Sequence, residues 1–429
     1  MLSAPRLCLA LATPLLLAAC GGDSPSPSGP GGGGGGDGGK PVALGHQMPE
    51  YTPSGIKEDF KQWKEAKAAW SGARLEDEKT KLRQALDQLT TDLIAKWENR
   101  EPPVPAPEAL YLATFLKEAH KHPEAVAQYR KYLSVADPTS GNFLNSTTAL
   151  IGCLAETGDF DGAMAELKKS ADTTYKDKDM DRMQAETSVA LCMMNTGQVE
   201  RAAAVFENLM TLGVGDPESA LYAVDCYQRM GRNDEALRVA QKAADFYKEG
   251  RQADRMKVLL ASASMLGRPS PDFSGARGWS GVGGPVTREM MQGKVVVVYS
   301  WNMQAQWMKW FYQRIGALNE EYAPKGVLFV GISRFAHFDA NKMVTKADMT
   351  EEEELTFYDA WTREYKVTWP LAIGPFGDEG APFMDAWAGS IIPAITVVGK
   401  DGKVFYVRTG KNPEHMAALK EMIEKAVNK

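Results

Sequence analysis

The sequence predicts a multidomain chain: an all-α helical-hairpin solenoid followed by an α/β domain. Three observations predict it. A Cys…Gly…Ala pattern recurs three times between residues 153 and 236, at helical spacing. After residue 266 the pattern changes to short valine-rich runs alternating with helical stretches. The first fifty residues carry neither signal. A length of 429 residues suits two or three domains. With 44% hydrophobic and 24% charged residues, a multi-span membrane protein and a wholly disordered chain are excluded. A net charge of -6 gives no nucleic-acid footprint. The five cysteines, Cys8, Cys20, Cys153, Cys192 and Cys226, are too few for a disulfide-dense mini-fold, and none follows residue 226.

Arg6 is the only charged side chain before Asp23, and Leu7 to Ala18 is mainly apolar. That run is too short to span a bilayer comfortably but suits the core of a signal peptide. The tetrad Leu17-Ala18-Ala19-Cys20 resembles the lipobox of bacterial lipoproteins. The resemblance implies a signal peptide over residues 1–19, cleavage before Cys20, and a lipid on its thiol that holds the chain to a membrane of the bacterial cell envelope. Gly21 rather than aspartate follows, which by the same resemblance favours the outer membrane, facing the periplasm. An ordinary secretory signal with an incidental cysteine is the alternative. Residues 21–45 hold 12 of the 40 glycines, with serine and proline filling much of the rest. Residues 20–50 therefore read as a lipidated cysteine and a flexible tether, about 25 Å in reach over twenty residues.

Residues 51–266 read as helical. Leu82, Leu86, Leu89, Leu93 and Trp97 recur at three- and four-residue steps, which puts them on one helix face. Pro102, Pro103, Pro105 and Pro107 end that segment. Three copies of one pattern follow: CLAETGDFDGAMAEL, CMMNTGQVERAAAVF and CYQRMGRNDEALRVA. Glycines 158, 197 and 231 supply the turn, and Ala163, Ala202 and Ala236 let the second helix approach the first. A weaker earlier copy has Ala125 in the alanine position. The pattern resembles the tetratricopeptide repeat family; another helical-hairpin solenoid is the runner-up. Cys153, Cys192 and Cys226 share one position on the first helix, where a thiol behaves as a small hydrophobe. One repeat apart, they are too distant for a disulfide. The resemblance places Asn145, Gln184, Asn195, Gln228 and Arg229 in a groove that takes a protein or peptide partner. The alternative is a spacer. His120 and His122 are two apart, so their side chains diverge and predict no metal site.

Residues 267–429 predict strands at Val295–Tyr299, Gly326–Ile332 and Ala394–Val398, the last turning into Lys403–Val407. Helices are predicted over 303–322, Glu351–Tyr365 and Pro413–Val427. The segments GRPSPDF, GKVVVVYSWNMQAQW and SIIPAITVVGKDGKVFYVRTG resemble the TlpA/ResA-type and peroxiredoxin-like branch of the thioredoxin fold. The resemblance puts Pro393 in the cis-proline place. It puts Gln304-Ala305-Gln306-Trp307 where the branch has Cys-x-x-Cys, and apolar Val298 near the place of the buried acid.

Thiol exchange needs a thiolate that attacks a sulfur, and an amide is no substitute. No cysteine elsewhere in 267–429 can replace the pair. No catalytic residue, cofactor or metal is predicted, and Met303, Met308, Met343 and Met349 read as core. Glu351 to Glu354 read as a solvated helix start. Trp301, Trp307 and Trp310 read either as anchors for a bound peptide or as plugs of a lost site. Function therefore divides between a membrane-anchored interaction or scaffolding protein, a thiol-disulfide oxidoreductase or peroxidase suggested by fold alone, and a structural spacer.

Overall fold

The computed structural model describes residues 55–73, 76–212, 215–302, 309–339, 344–346, 348–389, 392–409 and 414–429. Cys20, the tether and Gln304, Ala305, Gln306 and Trp307 lie outside them. The described residues fall into two compact units, divided between Ala185 and Glu186.

In the first unit, α1 (Ile56–Gly72) packs on α2 (Glu76–Glu98). Leu86, Leu93 and Trp97 of the expected face are buried, and Leu82 and Leu89 are half-buried. Polar bonds fix the pair. The Trp63 indole donates to Thr90 Oγ1 at 2.9 Å, and the Trp97 indole to Asp59 Oδ2 at 2.7 Å. After the proline segment come α3 (Ala109–Glu118), α4 (His122–Leu133), α5 (Gly141–Glu156) and α6 (Phe160–Ser170), each packed on the next.

Helix α7 (Asp179–Asn195) runs across the point of division, and α8 (Val199–Leu209), α9 (Pro217–Arg229), α10 (Asn233–Phe246) and α11 (Arg251–Ser264) follow. The repeated pattern is one local conformation used three times. Gly158, Gly197 and Gly231 have φ of 83°, 88° and 72°. The residue after each donates its N–H to a carbonyl five residues back: Asp159 to Leu154, Gln198 to Met193, Arg232 to Tyr227, at 2.8–3.0 Å. Ala163, Ala202 and Ala236 are fully buried. The weaker first copy makes the same turn without glycine. His120 has φ 57°, and Lys121 N–H bonds the Leu116 carbonyl at 2.8 Å.

Beyond α11 lies a six-stranded sheet built from β1 (Gly278–Gly281), β2 (Val296–Ser300), β3 (Leu328–Arg334), β6 (Pro370–Gly374), β7 (Ala394–Val398) and β8 (Val404–Thr409), while β4 (Phe338–Asp339) and β5 (Val344–Thr345) pair separately. The strand order across the sheet is β1-β6-β3-β2-β7-β8. β2, β3 and β6 are parallel; β1, β7 and β8 join antiparallel. The helices are α12 (Arg288–Met291), α13 (Lys309–Tyr322), α14 (Glu351–Glu364), α15 (Ala381–Ala386) and α16 (Glu414–Asn428).

The valine run explains why both faces are covered. Alternation sends Val295, Val297 and Tyr299 into one core, with Phe311, Ile315, Leu419 and Ile423, and sends Val296 and Val298 into another, with Phe383, Met384 and Trp387. At Gly331 a Cβ would press on the Leu371 side chain and stand 2.9 Å from the Tyr299 hydroxyl, so glycine lets both side chains lie against the strand. The sequence reading omitted β1, β6, α12 and α15. β6 opens on proline and closes on glycine, the residues that usually mark a loop.

Candidate functional site

The site expected from the fold lies where β2 ends and β7 begins. The Ile392–Pro393 peptide bond is cis and Pro393 is buried. The next N–H, of Ala394, donates to Ser300 Oγ at 2.8 Å, which ties the proline to the end of β2. Trp301 follows Ser300 and is fully buried. Its ring stacks on Trp361 at 4.5 Å and meets Tyr358 and Tyr312 edge-on at 5.4 and 5.7 Å. Trp301 is thus core and not an exposed anchor; the Trp310 side chain lies outside the described residues. Burial pushes the phenols of Tyr299, Tyr312 and Tyr358 well above their ordinary range, so none ionises near neutral pH.

The neighbouring end of β3 holds a polar cluster. His337 has φ 53° and its ring lies flat on Phe376, with centroids 3.7 Å apart. Its Nδ1 is 3.1 Å from the Met349 carbonyl. A carbonyl only accepts, so this nitrogen carries the hydrogen of the bond. Glu354 corrects the reading of residues 351–354 as a solvated helix start. Its carboxylate is buried and accepts the Ala336 N–H at 3.0 Å, and burial raises its pKa despite the amide donors. The last acid of the first turn faces inward, while Glu353 closes a capping box with Thr350.

A second site lies in the second unit, between α9 and the sheet edge. Asp225, 1% exposed, pairs with Arg408 and accepts the Tyr406 hydroxyl at 2.6 Å. Burial alone would raise its pKa; Arg408, Tyr406 and Arg229 outweigh this and hold it below the usual carboxylate range. Gln228 Oε1 accepts the Val407 N–H at 2.8 Å, and Arg229 Nη2 donates to Glu421 Oε2 at 2.6 Å. Beside them is a polar cavity of about 130 Å³, lined by Met194, Asn195, Asp225, Arg229, Arg408 and Glu421, among others.

Two of the expected groove residues, Gln228 and Arg229, therefore bond the chain's own β8 and α16; Gln228 is buried and Arg229 half-buried. Asn195 is exposed at the rim of that cavity. In the first unit Asn145 is exposed and Gln184 half-buried. The sequence reading missed Asp225 and Arg408. The available signal was an acid set between Val224 and Cys226 on an otherwise apolar stretch. Of the three thiols, Cys153 and Cys226 are fully buried, but Cys192 is only half-buried, which corrects its assignment to the core. They form no disulfide. Among the described residues no three metal-ligating groups cluster, and no helix is long and apolar enough to cross a membrane.

No protein-family model and no curated protein matches the chain. Solved structures with a thioredoxin-like fold are similar to somewhat over a third of it. One is a thiol:disulfide interchange protein of the thioredoxin family from Chlorobium tepidum, at 16% identity, with a TM-score of 0.26, over 37% of this chain and 97% of that one. The thioredoxin domain of a thiol-disulfide oxidoreductase from Bacteroides vulgatus is 19% identical over 38% of this chain and 98% of its own, with a TM-score of 0.27. A thioredoxin-like superfamily protein is 16% identical over 38% and 97%, with a TM-score of 0.30.

Proposed function

We propose that the protein is a lipid-anchored, non-catalytic interaction or scaffolding protein of the bacterial cell envelope. In this reading Cys20 is the anchor, residues 20–50 are the leash, and tetratricopeptide-like hairpins precede a thioredoxin-like domain that retains its shape without its thiols. One observation carries the reading: no cysteine follows Cys226, so the chain has no thiol pair to offer where the resemblance puts Gln304 and Trp307. The buried rings around Trp301, where a thiol-exchange site would need access, support it.

Two experiments test it. The intact chain is expected not to accelerate reduction of insulin by dithiothreitol; acceleration well above background overturns the non-catalytic reading. Cys20→Ala is expected to move the protein from the membrane fraction to the soluble fraction; continued membrane association overturns the anchor. A structural spacer is the second reading. The contacts made by Gln228 and Arg229 within the chain favour it, because they leave less groove for a partner.

A further inference from the structure

We propose that the contact of α9 with β8 and α16 is a reversible latch, which opens while the sheet and the helix pairs stay folded and so uncovers Gln228, Arg229 and the outer edge of β8. The inference holds whether or not the protein binds a partner.

The bonding at this joint is polar. Asp225 meets Arg408 and Tyr406, Gln228 meets the Val407 N–H, Arg229 meets Glu421, and Lys425 Nζ donates to the Arg229 carbonyl at 2.9 Å. Charged groups regain hydration when they part, so a buried ion pair adds specificity more than net stability. The joint is also incompletely filled. A partly open pocket of about 130 Å³, with Asn195 exposed at its rim, lies beside the ion pairs, and the buried Nε atoms of Arg229 and Arg408 have no acceptor. Solvent entering that pocket can take over the hydrogen bonds of groups that part.

Opening breaks no sheet ladder. β8 is the last strand of the sheet, and its Val407 N–H is held by a side chain. The linker after α11 belongs to the sheet side. Gly267 N–H bonds the Val404 carbonyl, Val404 N–H the Arg268 carbonyl and Ser270 N–H the Gly402 carbonyl, at 2.8–2.9 Å. The bend therefore falls between α11 and Gly267, whose φ is 72°, and opening there parts α11 as well as α9 from β8. Reclosure has one register. Asp225 and Arg229 lie one helical turn apart on α9 and meet the opposite signs, Arg408 and Glu421.

Two buried carboxylates test the latch, Asp225 inside the joint and Glu354 outside it. The intact, folded chain is treated with a water-soluble carbodiimide and glycinamide, and each site is followed by mass spectrometry. Asp225 is expected to label at least about tenfold faster than Glu354. Glu421→Gln, which removes the more exposed ion pairs to Arg229 and Lys425 and spares the buried one, is expected to raise the Asp225 rate about fivefold and leave Glu354 unchanged. If Asp225 and Glu354 label together, only as the chain unfolds, the latch is overturned. It is equally overturned if Asp225 labels fast but does not respond to Glu421→Gln.

Discussion

Tyr406 donates its phenolic hydrogen to Oδ1 of Asp225 at 2.6 Å, joining a strand to a helix 181 residues earlier. Both residues are out of water, and Arg408 shares the same carboxylate. Asp225→Asn leaves the Arg408 charge buried without a counter-charge and is expected to cost about 3–5 kcal/mol. Tyr406→Phe removes one bond to a charged group, at about 1.5–3 kcal/mol. Replacing Asp225 and Arg408 together by leucine and methionine is expected to cost less than Asp225→Asn alone. Denaturant unfolding of the intact chain measures all three; equal costs for the single and double replacements would contradict this ordering.

The two buried carboxylates respond oppositely to pH. The folded-state pKa of Asp225 lies below its ordinary value of 3.8, so its contribution is complete above that value and is lost as pH falls through the folded pKa. The folded-state pKa of Glu354 lies above its ordinary 4.5, so its contribution declines as pH rises through the raised value. Stability measured from about pH 3 to pH 7 is expected to lose part of its acid limb in Asp225→Asn and part of its opposing slope in Glu354→Gln.

Gly152 and Gly158 both have open space where a Cβ would go, but only Gly158 has a positive φ. Gly152→Ala, in the interior of α5, is expected to stabilise by about 0.5–1 kcal/mol. Gly158→Ala is expected to destabilise by about 1 kcal/mol, because it forces alanine into the left-handed region. Shifts in thermal midpoint of opposite sign would confirm the contrast.

Burial pushes the Cys153 thiol up to about 11 and the Cys226 thiol up to about 12. Neither provides a thiolate at neutral pH. A maleimide added to native protein is expected to reach half-buried Cys192 first, and Cys153 and Cys226 only after denaturant. Rapid native labelling at Cys226 would show that the thiol is not enclosed as described.

Local rules were legible in the sequence wherever the local signal was strong. The Gly197 and Gly231 turns, the two-sided burial of Val296 and Val297, and the hairpin after Val398 follow from spacing and residue type. His120 shows the limit: its backbone matches the glycine of the other turns, but histidine does not announce it. β6 was hidden because proline and glycine frame it. Glu354 and Asp225 were hidden for a different reason. Periodicity shows which face of a helix is apolar, but not which distant segment covers a polar residue beside it. The repeat resemblance placed Gln228 in a groove for a partner; its acceptor role toward Val407, 179 residues away, was not legible.

The outer edge of β8 has a consequence for how this chain is cut. Gln228 caps Val407, and residues 267–270 run along the strand's start. Excision at residue 267 would strip the strand of its helical cover and leave Arg408 without Asp225. An edge so bared is a template for pairing with another molecule. A truncation that is to keep this edge covered and Arg408 paired therefore has to carry α9 along with the sheet.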